Sequence, residues 1–295
     1  MKKKPHFDCV ALIGIGLINS SLARVIRRDS LAEKIIGCSR SDATLEKAKK
    51  LNLCHSYTTD VSFAVEGADL IVLGVPVGAN KQLAKIMGPA LKQGAIVTDV
   101  GSVKRCVIED VKPHLPESVH LIPAHPVAGT EHSGPEAGFE GLFENRWCIL
   151  TPEETADPDA VEAVKNLWLQ AGMQVDSMDA YYHDQILAIT SHLPHLIAYN
   201  IVGTAYDLEV VNESEVIKYA AGGFRDFTRI AASDPVMWRD VFLNNREAVL
   251  EMLGRFSEDL SVLQRAIRWG DGDTLEELFS KTRDIRKGII QAKQV

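Results

Sequence analysis

The turn Gly14-Ile15-Gly16 most limits what this chain can fold into. An apolar run from Asp8 to Ile13 leads into it, and a helical pattern from about Leu17 to Arg28 leaves it. A glycine turn between a strand and a helix brings the backbone close to a pyrophosphate, which rests on the helix N-terminus. Gly14 permits the tight turn, Gly16 permits the close approach, and Leu17 and Ile18 open the helix at the phosphates. The third glycine of the G-x-G-x-x-G pattern is replaced by Asn19, so a slightly wider gap between helix and strand is expected. Glycine turns are common, and this one gains meaning only from its surroundings.

Those surroundings alternate strand with helix. Strands are expected over Lys34 to Cys38, Asp69 to Gly74, Ala95 to Val100, Val119 to Ala124, Trp147 to Leu150 and Gln174 to Ser177, with helices over Asp42 to Leu51 and Asp157 to Ala171. Apolar, β-branched strands without strict alternation suit a parallel sheet covered on both faces. The fold class is therefore α/β, a Rossmann-type doubly wound sheet over residues 1–178. After Asp179 the pattern changes. Apolar residues recur at helical spacing, as in Val249, Met252, Leu253, Phe256, Leu260 and Leu263, and Gly222-Gly223 and Asp271-Gly272 punctuate the run. Residues 179–295 read as an all-helical domain for substrate and dimerisation. A homodimer is the default reading of its long amphipathic helices, although an intrachain core explains the same pattern almost as well.

Composition removes several classes of function. A net charge of −8 disfavours nucleic acid as a partner, and any anionic substrate must be held by local arginines. Five scattered cysteines without a CxxC pair argue against disulfides and against a metal site, and suit reduced thiols in the cytoplasm. No uninterrupted apolar run approaches the ~20 residues that span a bilayer, so no membrane is expected. Met1 to Pro5 is basic but does not lead into a signal peptide.

The end of the second strand bears on cofactor choice. An acid there would bond the ribose hydroxyls of NAD. This chain has Ser39-Arg40-Ser41 instead, with Asp42 following as a helix cap. Arg40 can pair with a 2′-phosphate, and Ser39 and Ser41 can add hydrogen bonds, so NADP is the expected cofactor and NAD the alternative. Otherwise, Arg40 is a solvated residue stacking on adenine. Val75-Pro76 and the segment Asp99 to Lys104 follow later strands and should line the same cleft, unless Val75-Pro76 is only a rigid turn.

His125 stands after the next strand, at the edge where the nicotinamide would lie. A histidine there can accept a hydroxyl proton as hydride leaves, although a lone histidine after a strand is usually structural. In the helical half, Ser191 and His195 are four apart on one helix face, read either as site residues or as a satisfied buried patch. Arg225 and Arg229 also share a face. One can pair structurally with an acid while the other clamps a carboxylate.

Four segments, DVGSVK (99–104), HPVAGTE (125–131), SHLPH (191–195) and GGFRDFTRIAASDPVMW (222–238), together resemble the prephenate/arogenate (cyclohexadienyl) dehydrogenase family of tyrosine biosynthesis. The resemblance implies an oxidoreductase that decarboxylates prephenate to 4-hydroxyphenylpyruvate, or arogenate to tyrosine, and a dimer built through the helical domain. It implies His125 as catalytic base and Ser102 as the serine bonding that histidine or the substrate hydroxyl. It implies Arg229 on a substrate carboxylate, His195 near the substrate side chain, and Ser191, Glu131 and Trp238 as further pocket residues. Tyrosine, which resembles the substrate, is a candidate feedback inhibitor. Asn19 and Ser39-Arg40 depart from the family's NAD-using pattern. Two rival readings are a β-hydroxyacid-type dehydrogenase and a non-enzymatic NADP-binding redox sensor. The first would place a lysine or an acid on the long helix, yet no lysine lies between Asp179 and Asn212. The second would need neither base nor carboxylate clamp.

Overall fold

Val10 to Ile13 are shielded from water, which makes their strand a central one. In a computed structural model, which describes residues 6–212 and 217–291, this strand is β1 (Phe7–Ile13). It is followed by α1 (Leu17–Arg28), β2 (Ala32–Cys38), α2 (Asp42–Lys50), β3 (Ser56–Thr58), α3 (Val61–Val65) and β4 (Leu70–Leu73). Then come α4 (Asn80–Met87), β5 (Ile96–Asp99), α5 (Arg105–Val111) and β6 (His120–Leu121). These six strands are parallel, in the order β3-β2-β1-β4-β5-β6. The strand order reverses between β1 and β4, which pair Ile13 with Leu73, and ligands of such sheets bind beyond the carboxyl ends at that point.

The sequence pattern suggests one continuous sheet, but the chain builds two. The strand expected over 119–124 stops at Leu121, and Pro123, lacking an N–H, cannot extend the ladder. The chain then starts β7 (Ala124–Pro126), which pairs antiparallel with β8 (Trp147–Leu150), while β8 runs parallel to β9 (Gln174–Ser177). Between β8 and β9 lies α6 (Pro158–Gln170), capped by Asp157 with Pro158 at its first position. Trp168 of α6 and Phe143 stack edge to face and share one core with β1, β2 and α1. β3 escapes pattern reading because its three residues, Ser56-Tyr57-Thr58, are polar and only half-buried.

α7 (Ala180–Leu187), capped by Asp179, passes through a π-helical turn (Ala188–His192) into α8 (Leu193–Asn212).

 Among the described residues, the Asp side chains that cap helices after β9 are Asp179, Asp234 and Asp271. α9 (Gly222–Thr228) follows, then α10 (Pro235–Asn244), α11 (Arg246–Trp269) and α12 (Gly272–Gln291). Gly222 opens α9 instead of breaking a helix.

The compact division of the chain falls later than the change in sequence pattern, into residues 1–246 and 247–295. The reason is packing. Trp238 and Val241 of α10 share a core with β1, β4, β5 and Val77, so α10 belongs with the sheet. In the second unit, Gly270 turns the chain at φ +66 and Asp271 caps α12. Leu260, Val262, Ile267, Trp269, Phe279 and Ile285 are exposed within the single chain.

The helical stretch Ala180–Glu209 has a mean hydropathy of 1.2 and is long and apolar enough, by length and composition, to cross a membrane. Counting uninterrupted apolar residues misses it, because His183, Asp184, His192 and His195 interrupt the run. His183, Asp184 and His192 are buried within their own unit.

Candidate active site

The dinucleotide cleft starts at Gly14, whose φ is +83 and where a Cβ would lie 2.5 Å from the Gly74 carbonyl oxygen. Gly16 is the N-cap of α1, has no side-chain cap, and faces open space where a Cβ would meet nothing within 4 Å. The first N–H groups of α1, from Leu17 and Ile18 onward, are thus left for an anion, and a dinucleotide pyrophosphate fits there.

Asn19 does not widen the gap between helix and strand. It is buried, and its Nδ2 donates to the carbonyls of Gly14 (2.8 Å) and Val72 (3.3 Å). Room comes from the other side, since a Cβ on Gly74 would lie 2.4 Å from that nitrogen. The glycine missing from the helix is supplied by the strand.

At the end of β2, Arg40 is exposed and Ser39 half-buried. Ser41, not Asp42, caps α2, its Oγ accepting from Thr44 N–H at 3.3 Å. Ser39 Oγ accepts from Ser41 N–H. Val75 is half-buried and Pro76 exposed beside the Gly14 turn.

His125 lies inside β7, opposite Ile149, and not in a loop after a strand. It is 6% exposed. Its Nδ1 is 2.9 Å from Nε2 of His183, and His183 Nδ1 is 2.8 Å from Asp184 Oδ1. Asp184 also accepts backbone N–H bonds from Lys104 (2.8 Å) and Arg105 (3.0 Å). The Lys104 ammonium is wholly buried between Asp99 Oδ2 (2.5 Å) and the carbonyl of Ala124 (2.7 Å). Asp99 in turn accepts from the N–H groups of Gly101 and Ala124. The end of β5 and the start of β7 are thereby clamped across a buried ion pair, one residue before His125.

Burial pushes the His125 pKa well below the usual histidine range, helped by the His183, Lys104 and His192 rings and charge around it. Burial also lowers His183, against the pull of Asp184. His192 falls to about 4, chiefly by burial, with Asp184 and the Ser102 backbone opposing.

The buried positions of the helical segment run His183, Asp184, Leu187, Ala188 and His192, so a four-residue stripe through Asp184, Ala188 and His192 continues across the π turn. Ser191 is half-buried, and its carbonyl takes a bond with His195 Nδ1 at 2.9 Å. His192 holds the inner place, 3.1 Å from Asn245 Nδ2, which also donates to the Asp184 carbonyl. His195 stacks on Trp238 at 3.6 Å. Arg229 is exposed and ion-paired with Glu131 at 3.0 Å, and Arg225 is exposed on α9. Ser102 is half-buried in the loop between β5 and α5.

The sequence carries no separate signal for His183, Asp184, His192 or Asn245, and it places Asp99 and Lys104 only within a segment expected to line the cofactor cleft. Lys104 and Asp99 stood within the DVGSVK segment, and His183 lies four and eight residues before Leu187 and Ser191.

The chain matches two family models: the prephenate dehydrogenase nucleotide-binding domain over residues 22–177, and the prephenate dehydrogenase dimerization domain over residues 179–281. It is 41% identical over 283 residues to a cyclohexadienyl dehydrogenase of Zymomonas mobilis, covering 96% of each chain. A prephenate dehydrogenase of Bacillus subtilis is 32% identical, over 96% of this chain and 76% of the relative. Among solved structures, prephenate dehydrogenase from Aquifex aeolicus in complex with hydroxyphenyl propionate and NAD+ superposes with a TM-score of 0.89. Its identity is 34%, covering 96% of this chain and 98% of that one. With two domain models spanning most of its length and relatives this similar, the chain belongs to the prephenate dehydrogenase family.

Proposed function

We propose that the protein oxidatively decarboxylates a cyclohexadienyl substrate, prephenate or arogenate, in tyrosine biosynthesis, with His125 as the base. The observation that carries this reading is a buried, neutral histidine fixed in β7 beside the Ser102 loop. A nicotinamide dinucleotide supplies the hydride acceptor. His125 takes the proton of the ring C4 hydroxyl while the C4–H bond breaks with its electron pair. The ring carboxylate leaves as CO2, and its bonding pair completes the aromatic ring. Low basicity before binding keeps His125 in the form able to accept a proton. The substrate's negative charge then favours the imidazolium that transfer creates.

Ser102 would hydrogen-bond the hydroxyl and Arg229 would hold a carboxylate. His195, Ser191, Trp238, Glu131 and Arg225 would line the rest. NADP is the preferred cofactor in this reading, supported by exposed Arg40 after β2 and the missing acid there. The match to a dimerization domain supports a homodimer, and five free cysteines support a reducing, cytoplasmic setting. Tyrosine is the candidate inhibitor. The test is His125→Asn, for which kcat should fall by about 10²–10⁴ with cofactor binding little changed. Turnover near that of wild type would remove the base assignment.

A further inference from the structure

We propose that His183 and Asp184 are positioning residues that fix the tautomer of His125, leaving its Nε2 lone pair for the substrate proton. This rests on His125 being the base. Asp184 as a carboxylate can only accept, so His183 Nδ1 must carry a hydrogen across the 2.8 Å contact. The neutral His183 ring then has its lone pair on Nε2. Only a hydrogen on His125 Nδ1 satisfies the 2.9 Å contact between the two rings. That leaves His125 Nε2 unprotonated. The two rings meet edge to face at 71°, with centroids 5.1 Å apart. His183 is 0% and Asp184 2% exposed, so water cannot substitute for either partner.

Asp184 is held in place independently, by the backbone N–H groups of Lys104 and Arg105 and, at its carbonyl, by Asn245. The tautomer is therefore tied to the position of the loop carrying Ser102. The other charged or titratable groups around the array are Lys104, Asp99, His192 and the thiols of Cys106 and Cys148. When His125 gains a proton at Nε2, its Nδ1–H still donates to His183, so no second proton has to move.

Asp184→Asn reverses the array. With its oxygen on a backbone N–H, the new amide donates to His183 Nδ1, His183 donates to His125 Nδ1, and His125 Nε2 keeps a hydrogen. Kcat should fall by about 10²–10⁴, the scale of general-base catalysis, while KM and cofactor affinity change by less than about threefold. Nitrogen NMR of the labelled holoenzyme should show His125 Nε2 changing from unprotonated to protonated at neutral pH. Wild-type kcat, or lost kcat with Nε2 still unprotonated, would overturn the proposal. A second pair of variants stands if Asp184→Asn does not fold. His183→Gln offers an oxygen to His125 Nδ1–H and should exceed His183→Leu in kcat at least tenfold; equal kcat would overturn the proposal. Loss of the base reading is seen separately, as wild-type turnover by His125→Asn.

Discussion

Acid should unfold this protein earlier than its carboxylates alone require. His192 is 0% exposed and has a pKa of about 4 in the folded chain, against 6.5 for an ordinary histidine. A histidine with a lowered folded pKa binds protons more readily when unfolded, so its contribution to stability is present above the unfolded pKa. It is lost as pH falls from about 6.5 toward 4. One pKa unit corresponds to about 1.4 kcal/mol, so the 2.5-unit difference amounts to about 3 kcal/mol in full, of which about 2 kcal/mol is lost between pH 7 and pH 5. His125 and His183 are lowered in the same direction and steepen the slope. The assay is urea unfolding at pH 7 and pH 5 for wild type and His192→Gln, whose amide can still accept from Asn245. Effects of groups common to both proteins cancel in the comparison. The drop in unfolding free energy should be smaller in the variant by about 2 kcal/mol. Equal drops would show that His192 titrates normally and that its burial has been misread.

Other outcomes follow from the cleft. Gly74→Ala should destabilise by about 1–3 kcal/mol through its clash with Asn19, and Asn19→Gly in the same chain should recover part of that loss. Strictly additive losses in urea unfolding would refute the coupling. Arg40→Ala should raise KM for NADP more than KM for NAD, and unchanged discrimination would remove Arg40 from cofactor choice. Arg229→Ala should raise substrate KM with kcat largely retained, and a pure loss of kcat in steady-state kinetics would place its role elsewhere.

The dinucleotide half was legible because its signals are local. β1, the Gly14 turn and α1 follow one another, and each is encoded by its own residues. The positions of the loops after β4 and β5 were legible for the same reason. What sequence could not show is pairing between distant segments. Pro123 looked like the tail of a strand, yet it separates two sheets. Asn19 looked like an intrusion until Gly74, 55 positions later, proved to make room for it. His183 and Asp184 carried no signal of their own, because the partners that justify their burial stand on β7 and at the start of α5. Ser191 was paired with His195 by spacing alone, whereas the fold buries His192, which follows Asp184 and Ala188 at the same four-residue interval.

A base on a strand gains rigidity, and His125, in its proposed role, also shares the cost of its surroundings. Lys104, Asp99, His183, Asp184 and His192 are all withdrawn from water around His125. Buried charges and rings of this kind add little net stability even when paired. They are sustained because each holds the next: Asp99 holds Lys104, Lys104 holds the strand before His125, and Asp184 holds both His183 and the Ser102 loop. The burial that keeps His125 neutral is the same burial that makes the fold sensitive to acid. Replacing His183 with an apolar residue of similar volume should therefore flatten the pH dependence of stability while disarming the proposed base. A variant stable at pH 5 that also keeps full turnover would break that connection.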